Sequence, residues 1–333
     1  MTGVFSCECV VLVALVLVGM AAANAGPWWA PQPSSDDFDA FHALEAADMV
    51  PWPHGFNQPL PRRNLTPAEL RALGQKFFAN VSSLVNATVL AEVIYTWTQP
   101  TYRQFQFPLT ARPQNDTVLG KLITFLPLSS NPWVGQMFNI TATTTAGALA
   151  QLANQSDQIW ANAAAEIGIL QFALSQLPSQ PYSDPNAPGV LYRGGGRNAL
   201  WFCNQFGFDF DLSVDECVAA YFAPSSTLSV ATFWSTTTDS SVTNKYKGSI
   251  LYYILPNPQR SAWHVRNITQ INVDTSALEH LYPAYSTFVV SNVTCVGKAP
   301  FGFWNVTLIE AGPGSPSGRS KPAGTLPFRR CTA

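Results

Sequence analysis

The chain has 333 residues, 47% of them hydrophobic and 12% aromatic, which is ample material for a packed core and excludes a disordered chain. Charged residues make up only 11% and the formal net charge is −2, so there is no basic stripe of the kind that nucleic acid or an anionic membrane surface requires.

The first predicted element is a leader. An apolar run from Val10 to Ala23 ends in Ala23-Asn24-Ala25, a small-residue site suited to signal peptidase, so residues 1–25 read as a signal peptide and the mature chain begins near Gly26. The run is shorter than the roughly 18 apolar residues of a membrane span. Secretion also accounts for the sequons at Asn64, Asn80, Asn86, Asn115, Asn139, Asn154, Asn267, Asn292 and Asn305. After cleavage Cys203, Cys217, Cys295 and Cys331 remain. In an oxidising compartment they predict disulfides, with Cys203–Cys217 and Cys295–Cys331 the preferred pairing among those the number allows. No Cys-x-x-Cys pair and no ligand-spaced cluster among His42, His54, His264 and His280 is present, so no metal is expected.

Residues 26–61, rich in Pro and Trp (Trp28, Trp29, Trp52), read as an irregular extension. A helical part is expected over 62–188. Thr66-Pro67-Ala68-Glu69 has the form of a helix start, with Thr as N-cap, Pro in the first turn and Glu three residues on, and the helix continues through Leu73 and Phe77. A second stretch covers Val89 to Phe107 and includes Tyr95-Thr96 and Tyr102–Phe105. Thr145 to Leu177 has the Ala-rich spacing of helices and ends at Pro178. From 189 to 310 the texture changes to β-branched and aromatic runs: Val190–Tyr192, Leu228–Trp234, Ser249–Leu255, Ile268–Val273 and Phe288–Val293. Helices followed by strands predict an α+β domain over 62–310. Residues 311–333, rich in Gly, Pro, Ser and basic residues, read as a flexible tail. With no apolar C-terminal stretch, neither a lipid anchor nor a membrane anchor is expected in the mature chain.

Three motifs on the predicted strands carry chemistry. Leu191-Tyr192-Arg193-Gly194 ends an apolar strand in an arginine followed by glycines; a guanidinium there can grip a diphosphate bidentately while the glycines let a ligand approach the backbone. Phe233-Trp234-Ser235-Thr236-Thr237 reads as a strand on which alternation points hydroxyls to one side, where one can orient a carboxylate. Glu279 precedes Leu281-Tyr282-Pro283 and the strand Phe288-Val289-Val290 in a chain poor in acids. A carboxylate beneath a ribose stabilises an oxocarbenium-like transition state as nicotinamide departs. Phe233 and Trp234 are assigned to core packing. No Gly-x-Ser-x-Gly elbow is present, which disfavours a serine hydrolase.

In this order the motifs resemble those of the mono-ADP-ribosyltransferases of the arginine-specific, cholera-toxin-like type, in particular the secreted and cell-surface eukaryotic enzymes. That family's signature is an Arg on a first strand, a Ser-Thr-Ser strand, and Glu-x-Glu before a Val-Leu-x-Pro-Pro turn; the similarity covers most of residues 65–295. The resemblance implies an ADP-ribosyltransferase-like fold of two small packed β-sheets with an N-terminal helical lobe, NAD as substrate, and a protein acceptor. It implies that Arg193 holds the NAD phosphate, Gly194 meets the nicotinamide or its ribose through the backbone, Ser235 orients Glu279, and Glu279 assists cleavage. The first Glu of Glu-x-Glu is replaced by Ala277, which can neither accept a proton nor pair with a guanidinium. The acceptor is therefore open, Asp274 is a candidate substitute, and two alternatives stand beside the transferase: an NAD glycohydrolase and a non-catalytic secreted binding protein that keeps the fold.

Overall fold

The computed structural model describes residues 65–81, 84–98, 109, 142, 144–152, 156–195, 213–244, 248–297 and 302–313. The leader, the Pro/Trp-rich extension, Tyr102–Phe105, Cys203, Cys331, the sequons at Asn64, Asn115, Asn139 and Asn154, and residues 314–333 lie outside the described residues.

The helical part begins where its capping signal places it. Helix α1 (Pro67–Phe77) has Thr66 as N-cap: Glu69 N–H donates to Thr66 Oγ1 at 3.3 Å, and Thr66 N–H donates to Glu69 Oε2 at 2.8 Å. It crosses helix α2 (Leu84–Thr98) at Gly74, where a Cβ would lie 2.6 Å from the carbonyl oxygen of Ala87, so only glycine permits this approach. Val89, Leu90, Val93, Ile94 and Trp97 of α2 are all buried, which makes it an internal helix rather than an amphipathic surface one. The Val89–Phe107 stretch thus corresponds to α2, which starts earlier. The Ala-rich 145–177 run forms two helices, α3 (Thr145–Leu152) and α4 (Ser156–Gln176). The buried end of α4, with Ile169, Leu170 and Ala173, shares one core with α2.

Among the described residues the second half carries helices α5 (Val214–Tyr221) and α6 (Ser240–Thr243) and eight strands: β1 (Leu191–Gly195), β2 (Thr227–Val230), β3 (Trp234–Thr237), β4 (Ile250–Leu255), β5 (Arg266–Asn267), β6 (Glu279–Tyr282), β7 (Ser286–Val296) and β8 (Phe303–Pro313). The fold is α+β, as expected, and the two small packed sheets are joined along one edge. The strands form a single hydrogen-bonded order, β2-β7-β8-β4-β1-β3-β6-β5, antiparallel except for the parallel pair β4 and β8. The sheet nevertheless folds over into two layers. Tyr282 on β6 and Phe288 on β7, far apart in that order, have ring centroids 5.0 Å apart, and Trp234 on β3 lies 5.2 Å from Phe288. One core of Trp234, Tyr252, Tyr282, Phe288 and Leu308 fills the space between the layers, and the β1–β4 ladder joins them.

Two short crossovers pass from layer to layer, and one of them accounts for a difference from the sequence reading. The run Leu228–Trp234 is not one strand: β2 ends at Val230, and Ala231-Thr232-Phe233 carries the chain across to β3. The β6-to-β7 crossover, Pro283-Ala284-Tyr285, lies alongside, with Tyr285 N–H donating to Val230 O at 2.7 Å. Ile268–Val273 is a turn rather than a strand. Ile271 N–H donates to Ile268 O at 2.9 Å, and both isoleucines are buried in the helical core, so their apolar character serves burial and not a ladder. At the other end β8 includes Ala311–Pro313, where a flexible tail was expected from 311.

The helical part is locked to the sheet by side chains reaching backbone. Gln171 on α4 brackets Ala284, accepting from its N–H at 3.1 Å and donating to its carbonyl at 3.2 Å, and Arg266 Nε donates to Leu174 O at 3.1 Å. Cys217 on α5 and Cys295 on β7 are each disulfide-bonded. Among the described residues no helix is long and apolar enough to cross a membrane.

Candidate active site

Glu279 is the first residue of β6. A single 3-10 turn, Thr275–Ala277, precedes it, capped by Asp274, whose Oδ1 accepts from Ser276 N–H at 3.0 Å. Leu278 ends the turn in the left-handed region at φ 46°, an uncommon conformation for a branched aliphatic residue, and this reversal feeds Glu279 into the ladder. Thr237 Oγ1 donates to Ala277 O at 2.7 Å and fixes the turn to β3. Asp274, the candidate substitute for the missing first Glu, is thus engaged as the cap of its own turn.

Strand alternation then sorts the motif residues onto two faces. Register pairs Thr237 with Glu279 and Ser235 with Leu281, so these four side chains share a face, and Leu281 shows which one: it belongs to the helical core. Trp234 and Tyr282 point the other way, into the core between the layers. Tyr192 pairs with Thr237, which puts Arg193 on the Trp234 side, where its guanidinium lies 5.0 Å from the Trp234 ring. Arg193 meets Ser235 through the backbone, Nη1 donating to the Ser235 carbonyl at 2.6 Å. The neighbouring Gly194, also half-buried, pairs with Leu251 of β4. Phe233 and Trp234 are fully buried, as assigned.

Glu279 is buried, and its carboxylate sits where three elements converge. Ser235 Oγ donates to Oε1 at 2.5 Å. From α2, Trp97 Nε1 approaches the same oxygen at 3.4 Å, and from the 268–273 turn Asn272 Nδ2 donates to Oε2. The amide of Asn272 has only one workable orientation, because its Oδ1 accepts from Asp274 N–H at 2.8 Å, and this turns the NH2 toward the carboxylate. Burial raises the pKa of Glu279 above the ordinary carboxylate range. The donors from Ser235 and Trp97, the Arg193 charge and the Asn272 amide pull it back down. The result is a carboxylate held in one position, with its lone pairs directed by side-chain donors.

The structure therefore brings Glu279, Ser235 and Arg193 into one chain of contacts, with Gly194 beside it. Trp97 and Asn272 were not among the residues singled out from the sequence. Tyr95, which was, has a structural task, its hydroxyl accepting from Leu65 N–H at 3.0 Å at the entry to α1. Among the described residues no group of three or more His, Cys, Asp or Glu is placed to hold a metal ion.

No protein-family model and no curated protein matches the chain. Solved structures of similar trace include ADP-ribosyltransferases. They include HopU1 of Pseudomonas syringae pv. Tomato (14% identity, covering 83% of this chain and 97% of that one, TM-score 0.41), an ADP-ribosyltransferase of Clostridium botulinum (13%, 75% and 98%, 0.40) and the toxin Plx2a of Paenibacillus larvae (10%, 74% and 96%, 0.38). At these values the functional reading rests on the residues of the site itself.

Proposed function

We propose that the protein is a secreted enzyme that cleaves NAD at the nicotinamide–ribose bond and transfers ADP-ribose to a protein acceptor. The observation that carries this reading is the Glu279 carboxylate, fixed by Ser235, Asn272 and Trp97 at the junction of sheet and helices. A negative charge held in place without reorganisation is what a developing ribosyl cation needs. As the C1′–N bond breaks, its electron pair leaves with nicotinamide. Glu279 stabilises the positive charge on the ribose and accepts a hydrogen bond from its hydroxyl. The acceptor nucleophile then bonds to C1′ and gives up its proton to solvent water. Ser235 positions Glu279, Arg193 is the cation for the diphosphate, and Gly194 offers backbone without side-chain bulk.

Hydrolysis, with water as acceptor, is the second reading, and position 277 favours it. Ala277 presents a methyl group where the resembled family places a carboxylate, and Asp274 is committed to Ser276. One experiment tests both: the secreted protein is incubated with NAD labelled in the adenylate half, and nicotinamide release and label on added protein are followed together. Release with label on protein supports the transferase, release with free ADP-ribose the hydrolase. No release under any acceptor condition refutes both and leaves a binding protein.

A further inference from the structure

Two of the described sequons occupy opposite environments. Asn86-Ala87-Thr88 lies on α2 at its crossing with α1, where the Ala87 carbonyl and the Thr88 backbone stand so close to Gly74 that not even a Cβ fits between the helices. Asn267-Ile268-Thr269 is exposed at its asparagine, which ends β5, the last strand of the sheet order among the described residues. The sequon also fixes its own asparagine. Thr269 N–H donates to Asn267 Oδ1 at 3.0 Å, an Asx turn that commits the amide oxygen to the backbone and leaves Nδ2, the atom that bears an N-linked sugar, on the opposite side of the amide. A second observation bears on the compartment: Cys217 and Cys295 are disulfide-bonded, a state that persists in the oxidising secretory pathway in which N-glycans are added.

From the exposed, pre-oriented amide at the sheet edge we infer that Asn267 carries an N-linked glycan, and that Asn86 does not. The glycan stands on the residue paired with His280, one position from Glu279. The inference is independent of the NAD chemistry, since it depends on the compartment and on the local conformation alone.

The test is to express the full chain in a eukaryotic secretory host and treat the medium protein with the amidase PNGase F in heavy-oxygen water. Peptide mass spectrometry then locates the asparagines converted to labelled aspartate. The expected result is label at Asn267 and none at Asn86. Asn267→Asp, which keeps an oxygen for Thr269 N–H, should be secreted and migrate faster by one glycan than the natural chain. An unlabelled Asn267 peptide in the secreted protein, whether or not other sequons are labelled, overturns the inference, and so does a chain that never enters the secretory pathway.

Discussion

Glu279 and Glu310 are two buried carboxylates on strands of the same sheet, and their surroundings differ in kind. Burial raises the pKa of both, so a shifted pKa does not separate them. Glu310 on β8 is fully buried. Its Oε1 accepts from the backbone N–H of His264 at 2.7 Å and from Tyr182 Oη at 3.4 Å, while Oε2 has no hydrogen-bond partner among the described residues. It serves the backbone of the 263–266 segment, whose carbonyls are in turn gathered by buried Arg266. Glu279 keeps a small exposed surface and has side-chain donors on both oxygens, brought from a helix, a strand and a turn. Donors from three separate elements converge on the Glu279 carboxylate, as the proposed role requires. A sealed carboxylate bound to backbone marks a structural one.

The comparison breaks most sharply on a charge-removing exchange at each position. Glu279→Gln should lower nicotinamide release by about 10²–10³-fold, the loss typical of removing one preorganised electrostatic group. Its thermal unfolding midpoint should stay near that of the unaltered protein. Glu310→Ala should do the reverse, leaving release unchanged while costing about 1–3 kcal/mol of stability in urea unfolding, because the His264 N–H loses its buried acceptor. Loss of activity in the second variant or retention in the first would reverse the assignment.

Next in size are the groups that hold Glu279. Because the Asn272 and Ser235 donors lower its pKa, Asn272→Ala and Ser235→Ala should each move the acidic limb of the pH–rate profile upward, since the carboxylate must be ionised to act. The expected loss of release at neutral pH is about 10-fold, from one charge-assisted hydrogen bond. A rate loss with an unmoved limb would make Asn272 merely structural. Asn272→Asp, which adds a like charge, should move the limb further than Asn272→Ala.

The smallest effect concerns the neighbourhood of Glu310. Burial, then the charges of Arg266 and Arg260, lower the pKa of His264 from 6.5 to about 3. The unfolded chain therefore binds this proton and the folded one does not. The contribution is fully present above the unfolded pKa of 6.5 and is lost as pH falls toward 3. Glu279 and Glu310, with raised values, act in the opposite sense: their contribution is present below 4.5 and lost as pH rises through the raised values. Between neutral pH and about 5 the urea midpoint of the unaltered protein should lose more, relative to His264→Gln, as the pH falls. Parallel curves would remove His264 from the acid response.

Local signals in the sequence were sufficient wherever the determinant was local. The Thr66 capping box placed α1 to the residue, because cap and helix lie within one turn of each other. Alternation within Phe233–Thr237 supplied Ser235, and the scarcity of acids drew attention to Glu279. Where apolar residues served burial against a distant element, the reading went astray: Ile268–Val273 has β-branched composition but packs on helices as a turn, and Leu228–Trp234 contains a crossover that its hydrophobicity conceals.

By itself the sequence determined the α+β class, the helix start at Thr66 and the order of Arg193, Ser235 and Glu279, since these follow from capping chemistry, periodicity and residue type along one stretch of chain. The tertiary structure alone decided that one eight-stranded sheet folds into two layers and that Arg193 faces away from Glu279 yet reaches the Ser235 carbonyl. It alone decided, too, that Trp97 and Asn272 hold the carboxylate. Trp97 is 182 positions from Glu279 in the chain, and only the packing of α2 on the sheet brings its N–H to the oxygen. Asn272 is seven positions away, but its amide is aimed by a backbone turn whose geometry no residue-type pattern specifies.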